Sequence, residues 1–358
     1  MTRNTSPSAR VFLVMKRLSP GYEAPADGFS DEKLERLSQH SLSERGLTPW
    51  AAWESENSSF GKTFREWAGY PSFLPLCFSS DHGVHWESRC WPNEINSPYK
   101  VYLTWNKKKS TAMTMNHGKT SYYVPHPWVF HRKKFWGDPP ANRGGTLVYY
   151  AHSNGQGTPL YKDLDQYIES LKNLPAQYQP IVLCVSFHDI QKNIHKKLRK
   201  YQIPIVTAGS TGARDFVDRF YSLVYQFNYA TSPHIGSHTF YVLEAGIPFF
   251  IYGDHPEFHM KGSDAVPDGL INLRDYGDEE DIARLQKLRE LLSAKVEAVT
   301  DEQRAMVSEY LGLDSNVSRS NASLIFWLSL FSNFGKVAGL YIATIVRLGR
   351  KLVVKVKG

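Results

Sequence analysis

Ser237-His238-Thr239-Phe240-Tyr241-Val242-Leu243-Glu244-Ala245-Gly246-Ile247-Pro248 runs directly into the apolar stretch Phe249-Phe250-Ile251-Tyr252. Ser opens a short helix, Gly-Ile-Pro stops it, and the chain then enters a buried strand. Ser237 and Glu244 lie about two turns apart on one side of that helix, whereas Phe240 and Leu243 lie on another that a sheet would cover. A helix N-terminus attracts phosphate, and a carboxylate two turns down can accept ribose hydroxyls. The segment therefore suits a nucleotide-sugar, although by itself it reads first as an ordinary capped helix with a surface Glu.

Upstream the same rhythm repeats. Apolar runs at 146–151, 181–185, 203–207 and 229–231 alternate with helical spacing at 160–174, a basic helix over 190–201 and a helix over 213–226. Strands without internal alternation, separated by helices, predict a parallel sheet covered on both faces. The fold class is thus α/β, with a Rossmann-like domain over 145–275. Gly137 to Gly145, rich in Gly, Pro, Asp and Asn, reads as the linker to an N-terminal domain over 1–137. In that half the candidate strands are Val11–Met15, Val101–Trp105 and Ser121–Val124. Residues 278–358 read as C-terminal helices.

Ligands of open parallel sheets bind beyond the carboxyl ends of the strands. The turns there are His152-Ser153-Asn154-Gly155, His188-Asp189, Gly209-Ser210-Thr211-Gly212 and Ser232 to Ser237, each polar, glycine-rich or histidine-bearing. Neither GxGxxG nor GxxxxGK[ST] is present, which argues against dinucleotide dehydrogenases and P-loop enzymes.

With 358 residues, the chain is long enough for two cores. Its three cysteines lack CxxC spacing, which argues against a disulfide scaffold or zinc site and for a reducing compartment. No secretory leader is legible, so the sequons at Asn57, Asn316 and Asn321 carry no weight, and a cytoplasmic location is expected. Of the net charge of +7, five units come from Arg347, Arg350, Lys351, Lys355 and Lys357, leaving about +2 for the body. Lys107-Lys108-Lys109 and Arg132-Lys133-Lys134 read as solvated faces, and no nucleic-acid partner is expected. Residues 323–346 read as an amphipathic helix with Trp327, Phe331, Phe334, Ala338, Tyr341 and Ile345 on one face and Ser329, Ser332, Asn333 and Lys336 on the other. With the basic tail behind it, it would contact the inner face of the plasma membrane, the alternatives being packing against the protein body or spanning the bilayer.

Gly236-Ser237, the short helix and Gly246-Ile247-Pro248 together resemble the nucleotide-binding segment of GT-B-type glycosyltransferases. Similar segments occur in CDP-glycerol glycerophosphotransferases, bacterial sialyltransferases and uncharacterised proteins of bacterial surface-polysaccharide (O-antigen and capsule) gene clusters. The resemblance covers about residues 145–255. It implies two Rossmann-like domains facing a cleft, a nucleotide-sugar donor on the C-terminal one and a glycan or lipid-linked acceptor on the N-terminal one. Gly236, Ser237, His238 and Thr239 would then hold the diphosphate and Glu244 the ribose, with His152, His188 and Arg214 as further donor contacts. No glutamate-rich segment precedes the helix, which points to inversion. Asp163-Leu164-Asp165 has DxD spacing but lies in a helix, so neither metal nor other cofactor is expected. Candidate bases are His82, in Asp81-His82-Gly83-Val84-His85, and His126, between two prolines. The alternatives are a polyol-phosphate or sugar-phosphate transferase on the same fold, or a non-catalytic component of a polysaccharide assembly complex.

Overall fold

The structure, a computed structural model, describes residues 27–39, 50–154, 157–260, 269–271 and 277–342. The candidate strand Val11–Met15 and the basic tail lie outside them. After α1 (Asp31–Ser38) and α2 (Phe60–Ala68), a small parallel sheet is built from β1 (Ser79–Ser80), β2 (Val101–Thr104) and β3 (Thr120–Tyr123), in the order β1-β2-β3. Between them come α3 (Pro92–Ile95) and α4 (Lys107–His117), the latter capped by the Asn106 side chain. Then α5 (Pro127–Phe135) leads into the linker at 137–145.

The second sheet holds β4 (Thr146–Tyr149), β6 (Ile181–Cys184), β7 (Ile205–Val206), β8 (Tyr229–Ser232) and β9 (Phe249–Ile251), all parallel, in the order β7-β6-β4-β8-β9. Its connections include α6 (Leu164–Lys172), α7 (Phe187–Gln191), α8 (Ile194–Leu198), α9 (Phe216–Val224) and α10 (Ser237–Glu244). Every residue of β4 and β6 is buried, as their unbroken apolar runs demand. The strand order reverses direction between β4 and β8, and the crevice at such a switch point is where open parallel sheets bind ligands.

Three features differ from the sequence reading. The helix expected over 190–201 is broken into α7 and α8, because Asn193 takes a left-handed conformation (φ 58°) that Asn tolerates better than most residues. A third, antiparallel sheet is formed by β5 (Gly157–Leu160), β10 (Glu257–Met260) and β11 (Gly269–Ile271). The ends of the chain also cross the expected domain boundaries. Phe29 N–H donates to Ile205 O and Arg199 pairs with Asp31, so residues 28–38 belong with the second sheet, not with the N-terminal domain.

At the other end, α11 (Glu279–Ser293) and α12 (Asp301–Tyr310) lead to α13 (Arg319–Phe331), which returns to pack on α2. Phe326 is the pin, in ring contact with Phe64, Tyr70 and Phe78. The helix expected to continue to 346 instead bends by 74° into α14 (Phe334–Ile342). Among the described residues no single helix is long and apolar enough to cross a membrane. One continuous hydrophobic core runs through both parallel sheets and α13.

Candidate functional site

The mouth of the molecule forms where the chain leaving β1 meets the switch point between β4 and β8. Gly236 is extended and acts as N-cap of α10, and the first-turn N–H groups of Ser237 and His238 have no acceptor within the helix. Facing them is the segment Asp81 to Glu87. The Ser237 hydroxyl accepts from Val84 N–H at 2.9 Å, and Trp105 Nε1–H donates to Gly83 O at 2.9 Å. The two halves approach so closely that a Cβ on Gly83 would lie 2.7 Å from Ser237 Oγ and 3.5 Å from His85 Nε2. Glycine is needed there for the approach itself.

Histidines surround this contact. His238 stacks on Tyr149 (centroids 4.4 Å apart), His234 lies 5.3 Å from His238, and His152 lies 5.9 Å from His234. On the opposite wall His82 and His85 are 5.0 Å apart. Among these rings, buried nitrogens at His82 Nδ1, His85 Nε2, His234 Nε2 and His238 Nε2 have no hydrogen-bond partner, and neither does Ser153 Oγ. Buried polar groups are ordinarily satisfied, so such a cluster in one crevice marks a place that ligand atoms complete. Burial pushes His238 down to about 3 and His234 well below its ordinary value, with neighbouring imidazoles adding to both. These rings are neutral donors or acceptors at neutral pH.

His85 is different in kind. Its Nδ1 sits 3.3 Å from Glu87 Oε1, while its Nε2 faces the Gly83 side of the mouth. Burial pulls its pKa down, but the attraction and hydrogen bond of Glu87, with Asp81 behind, raise it above the ordinary histidine value. A carboxylate on one nitrogen and an open second nitrogen is the arrangement of an oriented general base. His82, the first choice from sequence, has the opposite setting. Burial and the nearby His85 and Lys109 hold it down to about 3, and its closest carboxylate, on Glu94, is 3.8 Å away. Sequence reasoning quoted His85 but passed over it. Its signal was His85-x-Glu87, a spacing that puts both side chains on one side of an extended segment.

The loop stands on a buried ionic base. Lys109, read from sequence as part of a solvated cluster, is 2% exposed, with Nζ 2.9 Å from Glu94 Oε1 and bonded to Asp81 Oδ1 as well. Asp81 also accepts from Tyr102 OH at 2.8 Å and from Thr104 Oγ1. Burial raises the Asp81 pKa, but Lys109, His85 and these hydrogen bonds bring it below the usual carboxylate value. Lys108, by contrast, reaches outward to Asp278 and Glu280.

The remaining expected residues separate into those at the mouth and those elsewhere. Thr239 is buried and its hydroxyl accepts from Gly236 N–H, closing the helix start rather than facing a ligand. His188 stacks on Phe187, while its neighbour Asp189 accepts from Ser153 N–H and from Ser186, tying the ends of β4 and β6 together. Arg214 is exposed beside Lys62 and Glu66, against α2. Two expectations are overturned. Glu244 is buried in a bidentate pair with Arg132 of α5, at 2.6 and 2.8 Å, which withdraws its carboxylate from the ribose role. His126 is 1% exposed, with Nδ1 accepting from Trp128 N–H and Nε2 bonded to Tyr241 OH, so neither nitrogen is free to act as a base.

Among the described residues no group of three or more His, Cys, Asp or Glu side chains is arranged to hold a metal ion. Compared with known proteins, the chain matches no family, no curated protein and no solved structure at a significant level.

Proposed function

We propose that the protein is a glycosyltransferase that binds a nucleotide-sugar at the switch point and transfers the sugar to a hydroxyl of a glycan or lipid-linked acceptor. The observation that carries this reading is the meeting of two elements: an open α10 N-terminus on one sheet, and the His85–Glu87 pair on the other. The Ser237 and His238 N–H groups, with His234 and His238, would stabilise negative charge on the departing diphosphate. His85 Nε2 takes the acceptor hydroxyl proton, the new bond forms to the anomeric carbon, and the bond from that carbon to the diphosphate oxygen breaks. A base and a leaving-group site on opposite walls suit a single inverting displacement. The donor site uses helix and imidazole donors, so the reaction is assigned no metal. In this reading the second sheet is a Rossmann-like donor domain and the small first sheet carries the acceptor side.

Thermal unfolding of the intact protein with UDP-, GDP-, CMP- and CDP-linked sugars tests the assignment. One nucleotide class should raise the midpoint, and Ser237→Pro, which stiffens the helix start and removes its N–H, should abolish the rise. No shift with any of them overturns the donor site. Product analysis separates the nearest rival: transfer of a polyol phosphate from a CDP-linked donor releases CMP, whereas glycosyl transfer from UDP- or GDP-sugars releases the diphosphate.

A further inference from the structure

α13 carries two apolar faces. One, with Ala322, Ile325, Phe326 and Leu330, is buried against α2 and the first sheet. Ser329, read from sequence as part of the polar face, belongs to this buried side, where its hydroxyl donates to Cys77 O at 2.5 Å. The other face is open: Leu324, Leu328 and Phe331 follow one another at i, i+4 and i+7 and are 58%, 54% and 65% exposed. Beyond the bend Phe334 (69%) and Ile342 (63%) are exposed as well, and Tyr341 OH donates to the carbonyl of Phe73, itself 66% exposed. Six large apolar side chains thus stand in water around one helix pair. Such a concentration marks an interaction surface rather than ordinary scatter.

We propose that this face docks on an anionic lipid surface, inserting the α13–α14 elbow with Phe73 at its side. Charge selects the occupant. From Ser315 to Gly358 the chain contains no Asp or Glu and seven basic residues: Arg319, Lys336 and the five at 347–357. An apolar stripe in a stretch of sequence whose only charges are positive is complementary to acyl chains beneath anionic headgroups. A second copy of this chain is the poorer partner, because a two-fold pairing brings together two copies of a segment that carries only positive charge. The surface belongs to the folded body rather than to a detached tail, since α13 is anchored through Phe326 to the half that carries His85. The inference stands apart from the transferase reading, because it needs no nucleotide.

The test is sedimentation of the full chain with phosphatidylethanolamine vesicles containing phosphatidylglycerol, against pure phosphatidylcholine vesicles. The protein should pellet with the anionic vesicles and stay in the supernatant with the neutral ones. Leu328→Ser with Phe331→Ser and Phe334→Ser should weaken anionic-vesicle binding about a thousandfold, each loss of a buried large side chain being worth roughly tenfold. All three side chains are exposed, so the unfolding midpoint should hold, and any nucleotide-dependent rise in it should be unchanged. Equal binding of both vesicle types, no binding to either, or binding that survives the triple substitution overturns the proposal. If the wild type sediments as a dimer that the same substitutions dissociate, and ignores anionic vesicles, the face belongs to self-association instead.

Discussion

Two histidine-rich regions lie close together in this protein and are built on opposite rules. Along α5, His126 has both ring nitrogens bonded, and His131 is held between Glu66 (2.6 Å) and Asp218 (2.9 Å). Next to it Arg132 and Glu244 satisfy each other in a buried fork. At the mouth, His85, His234 and His238 each keep one buried nitrogen without a partner. The α5 seam joins α2, α9 and α10 through closed polar contacts. The mouth holds open ones, and the difference in satisfaction rather than in residue type separates a structural seam from a ligand site.

The sharpest way to break that contrast is to open the seam. Arg132→Met leaves the Glu244 carboxylate buried and unpaired, which should cost about 3–5 kcal/mol of stability. Adding Glu244→Leu should recover most of it. Urea unfolding measures both, and a single variant as stable as wild type would dismiss the seam as structure. Nucleotide binding by the stable double variant should match wild type, the reverse of what a ribose-binding Glu244 requires.

Next come the mouth and seam histidines as a pair. His85→Gln should lower turnover about a hundredfold or more while leaving nucleotide affinity nearly unchanged. Glu87→Gln should slow the reaction less and move the rate profile to lower pH, because the imidazolium loses the charge that raises its pKa. His126→Leu should do the opposite of His85→Gln, costing about 1–3 kcal/mol through the orphaned Tyr241 hydroxyl with little direct effect on the chemistry. A His126 variant that folds normally yet is inactive would reverse the assignment. Smaller again, Gly83→Ala forces a methyl group against Ser237 Oγ, and the two walls must part. About 1–2 kcal/mol of strain is expected, read as a weaker nucleotide-dependent rise in the unfolding midpoint.

How much of this was legible follows from the range of each signal. β4, β6 and β9 are apolar runs whose burial is written locally, so the parallel sheet could be read directly. The helix start at Gly236-Ser237 is likewise local. β1 is only Ser79-Ser80, two polar residues that are strand by pairing with Tyr102 and Leu103 of β2, and no periodicity announces it. Lys109 was grouped with its solvated neighbours because Asp81 and Glu94, which bury it, lie 28 and 15 residues away. Glu244 looked free for the same reason: its partner is 112 residues upstream. Lys109 and Glu244 were misassigned because their electrostatic partners are distant in the chain, whereas the signal for His85 was local, in Glu87 two residues on.

The smallest expected effect is a pH dependence whose sign differs between individual buried histidines, within the seam as well as at the mouth. Burial lowers the His131 pKa, but the bonds to Asp218 and Glu66 outweigh it, and with Lys62 opposing, the net shift is upward. Unfolded histidine titrates near 6.5. The folded state therefore holds the extra proton between that value and the raised one. His131 adds stability that is fully present below about pH 6.5 and is lost as pH rises through its folded pKa. His126 and His238, pushed down to about 3 by burial, act in reverse. The unfolded state takes up their protons first, so stability falls as pH drops below about 6.5. One proton sets a limit of about 1.4 kcal/mol per pH unit on each slope. Unfolding free energies measured from about pH 5 to 9 should give a dome. His131→Gln should flatten its alkaline side in part, because His85 also carries a raised pKa, and leave the acid side standing, because that side belongs to His126, His234 and His238. A His131→Gln curve parallel to wild type on both sides would mean that the seam carries no proton, and its closure would then rest on Arg132 and Glu244 alone.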